Sequence, residues 1–302
     1  MKTSLLFALI GCSVLPMRAE NLRERYADYG EVMIVSLASA PFPHPQRAAG
    51  HKYQDQLYPA DKHYSDSSVA IFIPKGYRET GKTDFVVHFH GWRNHLEIVF
   101  SQYQLIEQFV ESGRNAVLVV PQGPLDAPDS FGGKLEDTDG FKHFMGEVMD
   151  TLLQKRKLKT KEIGSIILSG HSGGYRVISF ILAQGGMTER VKEVWLFDAL
   201  YGQTEKFGAW FDRYHGRLLN IYTPNGGTKN ETEKLMADLQ QKGTAYLARN
   251  ENEVTPQELQ KNKLLFLFTE LGHNEVLVKH RTFREFLKTS CLSEVGKVQR
   301  AE

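Results

Sequence analysis

From Ser68 to the C-terminal region, short apolar runs alternate with segments of helical periodicity, and this alternation constrains the fold more than any other feature of the chain. Eight runs read as strands: Glu31–Ser36, Val69–Ile73, Asp84–His88, Ala116–Val120, Ile163–Leu168, Val191–Phe197, Leu218–Tyr222 and Leu264–Phe268. Most are apolar throughout rather than at every second residue, the mark of strands covered on both faces. Between them, Leu96–Val110 fits a helix. Phe141, Phe144, Met145, Val148, Met149, Leu152 and Leu153 form one stripe at spacings of three and four. Gly173–Ala183 reads as a buried helix, Glu231–Gln241 as an amphipathic one, and 274–287 as a closing helix. The expected class is α/β, a mostly parallel sheet with helices on both faces. Pro41–Asp66 reads as irregular surface wrapping, the acidic loop 122–140 as a solvated connection, and 202–217 as a local elaboration.

The N-terminus stands apart. Lys2 precedes the apolar run Ser4–Pro16, and Met17-Arg18-Ala19 gives a small residue before Glu20. Residues 1–19 therefore read as a cleavable export signal, too short to span a bilayer. A second reading takes Leu9-Ile10-Gly11-Cys12 as a lipobox, with a lipid anchor on Cys12. Residues 20–302 would then form one catalytic domain, secreted or periplasmic, or tethered as a lipoprotein. Loss of 1–19 removes Lys2 and Arg18 and no acid, lowering the basic count from 37 to 35 against 36 acids. That balance offers nothing to nucleic acid or an anionic membrane. Only Cys291 would remain, so no internal disulfide is expected.

Chemistry concentrates at four strand ends. Gly170-His171-Ser172-Gly173-Gly174 fits G-x-S-x-G between a strand and a buried helix, the setting in which that pattern presents a serine nucleophile. Side chains at 170 and 174 would collide with the neighbouring strand and helix. A serine hydroxyl needs a base within reach. His273, in Glu270-Leu271-Gly272-His273-Asn274, follows the last strand at the edge where such sites gather. Asp198 closes the strand after the nucleophile helix and is the candidate acid. The next strand ends in Asn225-Gly226-Gly227 without a carboxylate, and Glu231 and Glu233, which suit a helix's first turn, stand as alternates. His90-Gly91-Trp92 follows another strand, so the amides of Trp92 and Gly173 are candidate oxyanion donors. Arg93 and His95 are candidate substrate-lining residues.

Other patterns lead elsewhere. Gly76–Thr83 satisfies the Walker A spacing, but Thr83 runs into a strand where phosphate binding needs a helix. His44, His51, His63, His88, His90 and His95 form no H-x-x-x-H pair on a helix, and the acidic loop lacks calcium-loop spacing. Asn230-Glu231-Thr232 matches a glycosylation acceptor and carries no structural inference. No metal or organic cofactor is implied.

Through HFHGW, GHSGG, FDAL and LGHNEV, in the order serine, acid, histidine, the chain resembles the α/β-hydrolase superfamily over about residues 69–288. The resemblance implies an eight-stranded sheet, a nucleophile elbow and an acyl-enzyme intermediate. An acid after the sixth strand is similar to the arrangement in pancreatic-type lipases, whose oxyanion residue also follows a His-Gly pair. The expected activity is hydrolysis of carboxylic esters. Two alternatives remain open: a serine peptidase or amidase with the same triad, and a non-catalytic binding protein of the same fold. The expected partner is a small-molecule ester, or a peptide or amide.

Overall fold

The computed structural model describes residues 21–296, so the candidate export signal and Cys12 lie outside the described residues. In chain order the strands are β1 (Gly30–Ser36), β2 (His51–Tyr53), β3 (Gln56–Tyr58), β4 (Ser68–Pro74), β5 (Thr83–Phe89), β6 (Val117–Pro121), β7 (Ile163–His171), β8 (Val191–Phe197), β9 (Arg217–Tyr222), β10 (Leu247–Asn250) and β11 (Leu264–Phe268). The main helices are α1 (Leu96–Tyr103), α2 (Leu105–Ser112), α3 (Gly140–Gln154), α4 (Tyr175–Gln184), α5 (Thr204–Tyr214), α6 (Thr228–Gln241), α7 (Pro256–Lys261) and α8 (Thr282–Lys288).

Nine strands form one sheet in the order β1-β4-β6-β5-β7-β8-β9-β11-β10. β4 runs antiparallel to both β1 and β6, and every pairing from β6 onward is parallel. Successive side chains of a strand face opposite ways, and the core divides accordingly. Val69, Ile71, Phe85, Val87, Val117 and Val119 pack with α3 and α4 on one face. Ala70, Phe72, Val86, Leu118 and Val120 pack with α1, α2 and α8 on the other. A parallel sheet sandwiched in this way brings the carboxyl ends of β5, β7, β8 and β11 to one edge.

All eight strands expected from sequence are present, and the sheet adds a ninth, β10. Its sequence, Leu-Ala-Arg-Asn, is exposed except for a half-buried Leu247, so it carries no apolar signal. The expected helix over 96–110 is two helices, broken at Gln104 in the left-handed region with φ 51°. The buried sets explain the break. Leu96, Val99, Phe100 and Tyr103 share one phase, whereas Leu105, Ile106 and Phe109 fall one residue early for it. Gln108 Nε2 donates to the carbonyl of Tyr103 that the break frees. The closing helix is likewise shorter than expected: 273–280 is a run of turns, and α8 begins only after Arg281, at φ 52°.

The segment 41–66 is less of a surface wrap than its composition implies. It forms the β2–β3 hairpin and sends Phe42, Tyr58 and Tyr64 into a third small core with Ala127 and Phe131. The acidic loop is also not simply solvated. Asp129 is buried and paired with Arg47 at 2.7 Å, and Glu136 is buried against Arg176 at 2.8 Å. Among the described residues, no helix is long and apolar enough to cross a membrane.

Candidate active site

β7 ends at His171, and the chain turns through Ser172–Gly174 into α4. Ser172 takes φ +53°, a region that side-chain-bearing residues rarely occupy and that recurs at functional turns. The tightness of the turn requires Gly174, where a Cβ would lie 2.5 Å from the carbonyl oxygen of Phe89. Gly91 approaches from β5 just as closely. A Cβ there would sit 2.5 Å from Ser172 Cβ and 3.0 Å from its Oγ.

The loop after β11 brings His273 to the same edge, and the loop after β8 brings Asp198. His273 Nδ1 lies 2.6 Å from Asp198 Oδ2. Asp198 is fully buried and accepts further hydrogen bonds from Thr223 N at 3.1 Å, from Thr223 Oγ1 at 2.9 Å and from the hydroxyl of Thr228. Burial alone would raise the pKa of this carboxyl. The hydrogen bonds from His273, Thr228 and Thr223 outweigh it and hold the group below its ordinary value. An ionised carboxylate only accepts, so Nδ1 of His273 carries a ring proton. The alternates Glu231 and Glu233 lie on α6. Glu233 is exposed and 3.8 Å from Lys229 Nζ, and neither acid bonds to His273.

His90 organises the neighbouring turn. Its Nε2 accepts from the amide of Gly123 at 2.9 Å, which fixes the ring proton on Nδ1, and Nδ1 donates to the carbonyl of Gly91 at 2.8 Å. In a trans peptide the amide of Trp92 then points away from that carbonyl. The Trp92 indole donates to Ser130 Oγ at 2.7 Å, and its edge would meet a Cβ on Gly173 at 2.9 Å. The two candidate oxyanion residues are thus neighbours.

Ser172 and His273 line one cavity of about 630 Å³, together with Trp92, Gly173 and Arg93. His95 does not line it; its Nδ1 is 2.7 Å from Asp126 Oδ1, and this pairing turns the ring to a local network. Several lining residues were not anticipated from sequence, among them Tyr103, His171, Tyr175 and Tyr201. Tyr201 stands three residues beyond Asp198 in the same loop. Burial raises its phenol above the usual range, the nearby Asp198 adds to the rise, and a hydrogen-bonding contact with Ser172 opposes it. Its signal was an aromatic residue in a post-strand loop, which is common. Among the described residues no group of three His, Cys, Asp or Glu side chains is arranged to hold a metal.

No protein-family model matches the sequence, and no curated protein matches it. Solved structures do. A ferulic acid esterase superposes with a TM-score of 0.55 at 11% identity, covering 86% of this chain and 98% of that one. A serine-to-alanine mutant of the feruloyl esterase module from Clostridium thermocellum, complexed with sinapinate, gives 0.51 at 13% identity over 88% and 95%. Identities this low speak to the architecture alone. With the strand order, the antiparallel β4 and the serine turn after β7, they establish that the chain has the α/β-hydrolase fold.

Proposed function

We propose that this protein is a serine hydrolase that cleaves carboxylic esters, with Ser172 as nucleophile, His273 as base and Asp198 as the orienting acid. The observation that carries the reading is the 2.6 Å contact of His273 Nδ1 with the buried Asp198 carboxylate, in a cavity that Ser172 also lines. In the first half-reaction, His273 Nε2 takes the hydroxyl proton as Oγ attacks the ester carbonyl. The amides of Trp92 and Gly173 hold the oxyanion, and His273 returns the proton to the departing alcohol. Water then repeats the attack on the acyl-enzyme and regenerates Ser172.

The cavity favours a compact ester with an aromatic part. Trp92, Tyr103, Tyr175 and Tyr201 supply flat walls, Asn94 and Asn274 supply amide groups, and Arg93 lies at its lining. The similarity to feruloyl esterases makes hydroxycinnamate esters natural members of a substrate panel. Export through residues 1–19 belongs to the same reading, and N-terminal sequencing of the mature protein tests it.

A fluorophosphonate probe should label the wild type at Ser172 and leave Ser172→Ala unlabelled. A folded wild type that takes no label would overturn the enzyme reading in favour of a binding protein. p-Nitrophenyl and hydroxycinnamate esters assayed beside anilides then decide between esterase and amidase. Asp198→Asn should lower kcat by about 10⁴, the scale set by loss of the carboxylate in serine proteases. Near-normal turnover would remove Asp198 from the triad.

A further inference from the structure

His171 fills the variable position before the serine, ends β7 and is only 1% exposed. Its ring lies 4.8 Å from that of His273, inclined by 34°, and Tyr103 meets it edge-on at 5.1 Å. Its Nε2 is 3.0 Å from the main-chain oxygen of His273. A carbonyl oxygen only accepts, so Nε2 carries the proton and Nδ1 the lone pair. Nδ1 is buried without a partner among the described residues. One hydrogen bond of this ring is therefore committed, and it goes to the backbone of the residue read as the base.

His273 needs such support. It lies in the loop 269–281, with no strand or helix between β11 and α8 to hold it. Asp198 restrains its side chain through Nδ1, and nothing in that bond fixes its main chain. We propose that His171 is a positioning residue that fixes His273 through its main-chain carbonyl and so sets the reach of His273 Nε2 toward Ser172. The inference rests on the reading of Ser172, His273 and Asp198 as a triad.

The surroundings keep His171 neutral, as this role requires. It is approached by His273 and Asp198 from their loops, by His90 and His88 from β5 and its exit, and by Tyr103 from α1. Burial, with His273 beside it, pushes its imidazole down to about 4. Nδ1 faces no hydrogen-bond partner among the described residues, so a second ring proton would be buried without an acceptor.

Two variants separate the hydrogen bond from the ring. His171→Phe keeps a flat ring and loses the donor, whereas His171→Gln loses the ring and keeps an N–H near the place of Nε2. His171→Phe should lower kcat by about ten- to a hundredfold, the cost of a slightly misplaced catalytic group, and leave KM within about twofold. His171→Gln should recover most of that loss. In NMR spectra the Nδ1 proton of His273 bonded to Asp198 should weaken or vanish in the Phe variant and persist in the Gln variant. If the Phe variant does not fold, His171→Leu, which also lacks the donor, takes its place in both readouts. Wild-type kcat and an unchanged Nδ1 resonance in His171→Phe would overturn the proposal, as would a Gln variant as impaired as the Phe variant. A wild type that shows the resonance and takes no fluorophosphonate label would instead overturn the underlying triad reading.

Discussion

At Ser172 the backbone is held at φ +53°, a conformation that costs roughly 1–3 kcal/mol and lasts only where packing enforces it. Gly91 is part of that enforcement, because its α-carbon fills the space against the serine side chain. Gly91→Ala would place a methyl 2.5 Å from Ser172 Cβ, and either the serine or the Gly91–Trp92 peptide has to move. Both carry the proposed chemistry. Turnover of an aryl ester should fall by about a hundredfold or more, with a smaller effect on the melting temperature. An alanine variant with normal kcat would mean that this contact does not position the nucleophile. The three residues read from sequence share one property: Ser172, Asp198 and His273 each stand in the turn or loop that leaves an apolar strand, so strand ends located them. His171 and Tyr201 had no such marker. Their importance comes from a hydrogen bond across 102 residues in one case and a side-chain contact with Ser172 in the other. His95 shows the converse, since proximity in sequence to Trp92 did not bring it into the cavity.

The elements most legible in sequence were those whose side chains are buried on one or both faces, such as β6 and α3. β10 was not, because a polar edge strand has no buried face to write a pattern. It nevertheless has a consequence for the site. β10 delivers Glu251, whose carboxylate accepts from Thr269 Oγ1 at 2.9 Å and Thr282 Oγ1 at 3.0 Å, with His280 Nδ1 at 2.9 Å. Those partners stand at the two ends of the loop that carries His273. Glu251→Ala leaves both hydroxyls without their acceptor and frees the loop ends. Unfolding by urea should show a loss of about 1–3 kcal/mol, the cost of stranding buried hydrogen-bonding groups. kcat should fall as well, because the loop then samples more positions. Glu251→Gln, which keeps an acceptor oxygen, should lose less of both. Equal stability for the alanine variant and the wild type would show that the strap does not hold the loop.

For the molecule as a whole, the buried histidines set the response to acid. His90 and His171 are pushed from 6.5 down to about 4, chiefly by burial, and fully buried His88 is driven well below its ordinary value. Unfolding returns all three to water, where they take up protons as pH falls through 6.5. Between pH 6.5 and 4 the unfolded chain therefore binds more protons than the native one, and stability declines as pH falls. Two such groups give a limiting slope of about 2.7 kcal/mol per pH unit, and each contributes roughly 3 kcal/mol over the full window. Asp198 and Asp129 act lower. Their folded pKa values are depressed, so their stabilisation is complete above the unfolded carboxylate pKa and disappears only as pH drops through the folded values. Acid unfolding should thus start in the histidine window, before Asp198 and Asp129 are protonated. Denaturant midpoints measured across that window check this, and His171→Gln should reduce the slope by about one proton's worth, near 1.4 kcal/mol per pH unit. A wild-type stability that stays flat from pH 6.5 to 4 would mean that these imidazoles are not held neutral by burial.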